Sequence, residues 1–452
     1  MTTATKVDRT TFRTSRLLDF CSEKELVAQT GHRREAWPMV VLKELVDNAL
    51  DACEEAGTAP DIVVKVDKDT IAVSDNGPGL PAETVKGVLD FSVRVSSREA
   101  YVAPTRGAQG NALKTVIAMP FVLDGEEGRV EISTRGEHHK IMFGVDRIRQ
   151  EPVVNHCVQP APNVKNGTWV RLLWPDSACS ILADSKWHFL QVAEAYAWLN
   201  PHLTLTVWWN DEEVRFGATD PGWRKWLPSD ATPAHWYRSE TLERLIAAYL
   251  AHDLDHGRDR TAREFIREFR GLAGSARQKA VLEETGLSRQ PLSSLCQGDG
   301  LDRHAVTALL DSMKAATKSV KPQALGVIGK DHFRSRCEAA GAELETFAYW
   351  KRCETSDGMP WVLETAFAWV PDRTDRLLVT GVNWSPAIVN PFRELGHRGE
   401  SLDSLLVDVR AGSDEPVIVF LHLASPGIEY TDRGKSAVVL PGNVTAMEQP
   451  TR

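Results

Sequence analysis

Lys43-Glu44-Leu45-Val46-Asp47-Asn48-Ala49-Leu50-Asp51-Ala52-Cys53-Glu54-Glu55-Ala56-Gly57 is the stretch on which the fold of this chain turns. Residues 37–53 carry apolar side chains at helical spacing (Val41, Leu45, Ala49 and Cys53, with Leu42 and Val46 beside them), which predicts a helix. On it Glu44 and Asn48 stand four apart and Asn48 and Asp51 three apart, so the three share one face. Downstream, Asp61 to Asp67 and Thr70 to Ser74 are short β-branched runs around an acidic turn and predict a strand pair. Asp75-Asn76-Gly77-Pro78-Gly79-Leu80 follows the second run directly. Further on, Thr105-Arg106-Gly107-Ala108-Gln109-Gly110-Asn111-Ala112-Leu113-Lys114 is a glycine-rich loop entering an apolar helix (Leu113, Val116, Ile117).

Each segment has a chemical reading and a plainer one. A carboxylate beside a carboxamide suits a water-activating base next to a Mg²⁺ ligand, and equally a solvated acidic face. A carboxylate at a strand end can accept from an exocyclic amine, with glycines letting a ligand approach the backbone; Asp, Asn, Gly and Pro also favour an ordinary turn. The helix N-terminus behind the third segment suits phosphates. It is not a P-loop, because Lys114 follows Gly110 by four positions and no strand precedes the loop. What carries weight is the order and spacing of the three together.

The 452 residues are enough for two or three domains. Hydrophobic residues at 42% and charged residues at 25% give the balance of a globular protein with real cores. Lys plus Arg number 53 against 62 for Asp plus Glu, a net charge of −9, which argues against attachment to nucleic acid by bulk positive charge. Apolar stretches such as 416–424 fall far short of a membrane span. Met1 to Thr10 is polar, so no secretory signal is expected. Seven cysteines without CxxC spacing suggest reduced, packed thiols. A cytoplasmic protein without membrane attachment is expected.

Helical and strand patterns mix through the first ~215 residues, with further strands expected at 129–134, 140–145, 168–174 and 204–209. A connector rich in Pro, Trp and Gly covers 214–237, a wholly helical segment 239–321, and strands return at 361–369, 377–382 and 417–423 with a helix at 401–409. The expected organisation is therefore an α/β sandwich domain (1–215), a connector and helical domain (216–330) and a third α/β domain (331–452).

With Glu44/Asn48/Asp51, the DNGPG run, the GxxG loop and Asn166-Gly167-Thr168 in this order, the chain resembles the Bergerat (GHKL) ATP-binding fold, an α+β sandwich shared by gyrase, Hsp90-type chaperones, histidine kinases and mismatch-repair ATPases. The wording of residues 43–57 with Pro60-Asp61-Ile62, of Ser97-Arg98 before 106–110, and of Asn200-Pro201-His202 is similar to the B subunit of type IIB topoisomerases, topoisomerase VI. Ala308 to Met313, Val320-Lys321-Pro322 and Val327-Ile328-Gly329 resemble that family's helix-two-turn-helix segment. Residues 420–425 followed by 430–437 resemble its transducer loop. The resemblance implies ATP and Mg²⁺ as cofactors and a slow ATPase that dimerises when ATP binds, closing as a gate or clamp on DNA. Glu44 would polarise the attacking water, Asn48 would hold Mg²⁺, and Asp51 would lie with them on the nucleotide face. Asp75 would read adenine over Gly77 and Gly79, with Thr168 supporting it. Gly107, Gln109 and Gly110 would close over the phosphates, and Lys435 would reach the γ-phosphate.

Two departures bear on partners. Ala112 stands where the family has a third glycine. The chain ends at Arg452, shortly after Lys435, with Pro441, Gly442 and Pro450 in between, so the long helix that couples to an A-type DNA-cleaving subunit is expected to be missing or short. Two readings stay open: the ATPase half of a type IIB topoisomerase working with such a subunit, and a stand-alone ATP-operated clamp or regulatory module of a mobile element or defence system. A chaperone or kinase role is disfavoured, since no phospho-acceptor or long client-binding segment is present. Arg263, Arg267 and Arg270 share a helical face that suits either DNA contact or a salt-bridged surface. Trp223 and Trp226 are expected to pack, and Asp253 with His252 and His256 to form a solvated helix end.

Overall fold

The computed structural model describes residues 20–91, 101–106, 112–146, 148–149, 151–298, 300–393, 400–431 and 437–439. Helix α1 (Glu23–Thr30) leads into α2 (Trp37–Glu55), which starts with Pro38 in its first turn, where a missing amide proton costs nothing. Most of α2 is buried, including Asp47, Asp51 and Glu54, because it is covered on both flanks. On one flank lies a sheet beginning with β1 (Asp61–Asp67) and β2 (Thr70–Ser74), paired antiparallel from Val63↔Ser74 to Asp67↔Thr70. Helices α3 (Ala82–Val88) and α4 (Ala112–Asp124) follow, then β3 (Gly128–Thr134), β4 (Glu137–Asp146), β5 (Glu151–Pro160), β6 (Thr168–Leu173), α5 (Cys179–Asp184), α6 (Lys186–Leu199), β7 (Thr204–Trp209) and β8 (Glu212–Phe216).

These eight strands form one mixed sheet in the order β5-β4-β3-β6-β2-β1-β7-β8, with β1 and β7 parallel and the other neighbours antiparallel. Alternation in β1 puts Ile62, Val64 and Val66 inward, where they meet Leu42, Val46, Val116, Ile117, Phe189 and Tyr196 from α2, α4 and α6. This is the α/β sandwich expected from the sequence. Strands β5 and β8 were not expected; both lie at sheet edges and show no buried face, so their sequences lack apolar alternation.

The central segment holds α7 (Ser239–Asp255), α8 (Ala262–Arg267), α9 (Ser275–Glu284), a two-stranded hairpin β9 (Cys296–Gln297) and β10 (Gly300–Leu301), α10 (Arg303–Ala315) and α11 (Lys330–Ala339). Thr261 and Glu264 cap α8 reciprocally. Then come β11 (Ala348–Ser356), β12 (Met359–Trp369), β13 (Leu377–Val382), β14 (Ser385–Pro386), α12 (Leu402–Asp408) and β15 (Val417–Ala424), with the sheet order β11-β12-β15-β13-β14. A short pair, β16 (Glu429–Tyr430) and β17 (Val438–Val439), follows. Leu245, Phe265, Leu309 and Phe333 of the helices share one continuous core with Val362, Ala366, Val379 and Phe420 of this second sheet. Trp198 and Leu199, at the end of α6, reach into that core from the first unit.

Trp226 is buried against Trp236 and under the Arg270 guanidinium, and the Trp223 indole donates to the Val327 carbonyl at 2.7 Å, so both tryptophans pack as expected. Asp253 corrects the reading of a solvated helix end. It is buried and takes both oxygens to Arg260, at 2.7 and 2.8 Å, because a bidentate guanidinium supplies the charge and donors that water otherwise would. Arg263 bonds Gln278 and Arg270 stacks on Trp226, so two of the three arginines on that face are engaged within the protein. No helix among the described residues is long and apolar enough to cross a membrane.

Candidate nucleotide site

Strand β2 ends by delivering Asp75 into a turn that is cross-braced to β6. The Asp75 amide donates to the Thr168 carbonyl at 3.0 Å. In return the amides of Gly77 and Thr168 donate to Asp75 Oδ1 at 2.8 and 3.2 Å. Gly167 donates to the Gly77 carbonyl at 2.7 Å, and the Asn76 side chain ties the turn to Asp61 and Ala59. Two glycines are obligatory. Gly167 has φ 77°, and a Cβ there would sit 2.0 Å from the Asp75 carbonyl oxygen; Gly79 has φ 76°, and a Cβ would sit 2.8 Å from Thr134 Oγ1. Burial pushes the Asp75 carboxyl above its ordinary range, although the amides of Gly77 and Thr168 and the Thr168 side chain pull it down. The result is a fixed, half-buried carboxylate in a turn whose glycines let the backbone of 75–79 pack against 134 and 167.

Helix α2 meets this turn at Cys53, whose Sγ lies 3.3 Å from Asn76 Oδ1. Burial, then the neighbouring Asp75 charge, push that thiol up to about 12. Elsewhere α2 opens outward mainly along one stripe, with Glu44 and Ala52 half-buried and Asn48 and Glu55 exposed; Lys43 beside it is half-buried too. At 1.5 Å per residue, Asn48 lies about 7.5 Å and Glu44 about 13.5 Å up the axis from Cys53. Asp51 is one position off this stripe. Its carboxylate is buried and accepts from Arg106 Nη1 at 2.8 Å.

Arg106 is the centre of a buried charge network that sequence spacing did not pair. Its guanidinium reaches both oxygens of Glu54 at 2.6 and 2.7 Å and Asn200 Oδ1 at 2.6 Å, in addition to Asp51. Glu54 also holds Lys225 at 2.9 Å and His202 at 3.0 Å. Burial alone would raise the Glu54 carboxyl, but the charges of Arg106 and Lys225 hold it well below the usual range. Only the motif neighbourhood of Arg106 and the Asn200-Pro201-His202 run hinted at these residues, and nothing in the sequence said that they meet.

The structure thus brings Asp75, Gly77 and Thr168 together by direct contact, sets Gly79 against Gly167, and places Glu44 and Asn48 on the open side of α2. Gly107, Gln109, Gly110 and Lys435 lie outside the described residues. Among the described residues no cluster of three His, Cys, Asp or Glu side chains could hold a metal ion.

Residues 34–176 match the family described as histidine kinase-, DNA gyrase B-, and HSP90-like ATPase. The chain is 23% identical over 431 residues to the B subunit of type 2 DNA topoisomerase 6 from Archaeoglobus fulgidus, covering 88% of this chain and 66% of that protein. Against the Methanosarcina mazei counterpart the identity is 23%, with 88% and 64% covered. The Pyrococcus abyssi counterpart is 32% identical over 174 residues, 37% of this chain and 30% of that one. The chain spans just under two thirds of the length of the first two relatives. Among solved structures, it is similar to the Aquifex aeolicus MutL ATPase domain complexed with ADP, at 12% identity and TM-score 0.34, covering 85% of this chain and 91% of that one. It is also similar to the B-subunit of the DNA gyrase from Myxococcus xanthus, at 12% identity and TM-score 0.38, covering 95% and 90%.

Proposed function

We propose that this chain, which carries a GHKL-type ATPase domain and is similar along most of its length to type 2 DNA topoisomerase 6 B subunits, is an ATP-operated gate or clamp on DNA. The observation that carries the reading is the braced Asp75 turn packed against α2 at Cys53, on the same helix that carries Glu44 and Asn48 at its open side. Adenine lies on the Asp75 turn, its amine donating to Asp75, with Thr168 fixing that carboxylate. The triphosphate then runs up α2 past Asn48 to Glu44, along the roughly 13.5 Å that the helix rise supplies. Glu44 takes the proton from the attacking water as general base. Asn48 fits a Mg²⁺ ion: it offers a neutral, exposed carboxamide oxygen, as suits a cation that keeps most of its shell from water and phosphates. When bound, Mg²⁺ would neutralise charge on the phosphates. Gly107, Gln109 and Gly110 enclose the phosphates and Lys435 contacts the last one in this reading. Asp51 supports the helix through Arg106 and does not touch nucleotide.

Replacing Asp75 with Ala removes a hydrogen bond to a charged acceptor, worth about 1.5–3 kcal/mol. ATP-analogue affinity should fall roughly 10- to 150-fold by equilibrium titration; an unchanged affinity would remove Asp75 from the site. The gate itself is tested by light scattering on the eluting protein with and without a non-hydrolysable ATP analogue. Doubling of mass only with the analogue is expected, and a monomer under both conditions defeats the clamp. Supercoil relaxation with and without an A-type cleavage subunit decides whether this chain serves a type IIB topoisomerase. Activity only with that subunit is the expected outcome.

A further inference from the structure

The flank of α2 beside Glu44 is gripped by one turn of the second sheet. Between β13 and β14, Asn383 and Trp384 both have positive φ, 49° and 61°. That is the backbone of a two-residue hairpin turn, which favours Asn first and glycine second. A fully buried tryptophan in the glycine place is strained, and such strain persists only where the surroundings over-determine it.

The surroundings are specific. Ser385 Oγ lies 2.9 and 2.7 Å from the two oxygens of Asp47, which also takes Lys43 at 2.9 Å and the Tyr196 hydroxyl at 2.8 Å. Lys43 and Asp47 bracket Glu44 in sequence. The Trp384 carbonyl accepts from Asn200 Nδ2 at 3.0 Å and faces Arg106 Nε at 3.5 Å. Asn383 donates to the Thr105 carbonyl at 3.3 Å and exchanges bonds with Ser425. Facing the other way, the Trp384 amide donates to His422 Nε2 at 3.1 Å, which assigns the neutral ring its proton on Nδ1. That Nδ1 faces Glu364 Oε2 at 3.6 Å, an electrostatic contact longer than a hydrogen bond, both groups being fully buried. Glu364 accepts from the Ile328 and Gly329 amides, each at 2.9 Å, where α11 begins.

We propose that the 383–385 turn is a positioning element of the nucleotide site, holding α2 beside Glu44 and tying it through His422 and Glu364 to the start of α11. The inference rests on the ATPase reading for its effect on turnover, while the tie itself stands on contacts alone. Ser385 and His422 touch no nucleotide; they act through α2.

The test compares S385A, H422A, H422Q and the unaltered full chain. Without nucleotide, S385A should speed amide hydrogen exchange at Ile328 and Gly329 about tenfold relative to β1, although Ser385 contacts neither residue. In ATP hydrolysis, S385A and H422A should lower kcat at least about tenfold with KM for ATP within about twofold, since a 1 Å misplacement can cost on the order of 10²-fold. Glutamine can accept from Trp384 and donate toward Glu364, so H422Q should recover most of the loss. Unchanged exchange at 328–329 in S385A, kcat and KM failing together, or H422Q no better than H422A overturns the proposal. If H422A does not fold, S385A decides it alone. An unaltered chain that hydrolyses no ATP defeats the ATPase reading, and the exchange measurement still decides the tie.

Discussion

Glu44→Ala is expected to slow ATP hydrolysis by roughly 10²–10⁴-fold, the contribution of a positioned general base, while analogue binding stays within a few-fold of the unaltered chain. The separation follows from geometry. Glu44 sits nine residues up α2 from Cys53, where the helix meets the Asp75 turn, so removing its carboxylate leaves the adenine end untouched. Its position is half-buried on the open stripe of an otherwise buried helix, so truncation opens no core cavity. Phosphate release under steady state, beside equilibrium titration with a non-hydrolysable analogue, measures both quantities. Parallel loss of binding and turnover would sink the assignment of Glu44 as base.

Arg106→Ala has the largest expected effect on stability, about 3–5 kcal/mol, the cost of breaking a buried ion pair by removing one partner. Glu54 and Asp51 lose their shared counter-charge, Asn200 Oδ1 loses its donor, and Lys225 and His202 are left to hold Glu54. The pH dependence has a definite sign. Burial opposes ionisation of Glu54 and Asp47, yet nearby cations (Arg106 and Lys225 for Glu54, Lys43 and Arg106 for Asp47) hold both folded-state pKa values below the unfolded ones. Their stabilisation is therefore present above the ordinary carboxylate range and lost as pH falls through the folded values. Without Arg106 those values rise, and acid unfolding should begin at higher pH. Arg106→Lys keeps the charge but cannot fork to Glu54 and Asn200 together, so an intermediate loss is expected. Denaturant unfolding at neutral pH, followed down through and below the ordinary carboxylate range, checks all three statements; equal stability of R106A and the unaltered chain would contradict the network's importance.

The inner strands and α2 were legible because burial on one face prints a period on the sequence. Residues 61–67 and 204–209 read as strands and are strands to the residue. Strands β5, β8 and β11 escaped for the opposite reason. Each is an edge with little burial, and Glu151–Pro160 mixes polar and apolar residues without a dry side. The DNGPG turn was readable because a carboxylate, the Gly77 amide and two glycines lie within a few residues, although its brace from Gly167 and Thr168 comes from far along the chain, Thr168 standing 93 residues from Asp75. Asp51 was not, because its side chain answers to Arg106, 55 residues away, and three neighbours on one helix face look alike until something covers one of them. Asp253 misled for the same reason. A carboxylate near a helix end is normally wet, and only Arg260 folding back made it dry.

The fused interior of the central helices and the second sheet limits how the molecule can be taken apart. Cutting near residue 330 would strand Phe265 and Leu309 on one piece and Phe333, Val362 and Phe420 on the other, each with a greasy wound facing water. The fragment beginning at 331 should precipitate on its own. The central helices and the second sheet thus form one packed body, joined to the first unit where Trp198 is lodged.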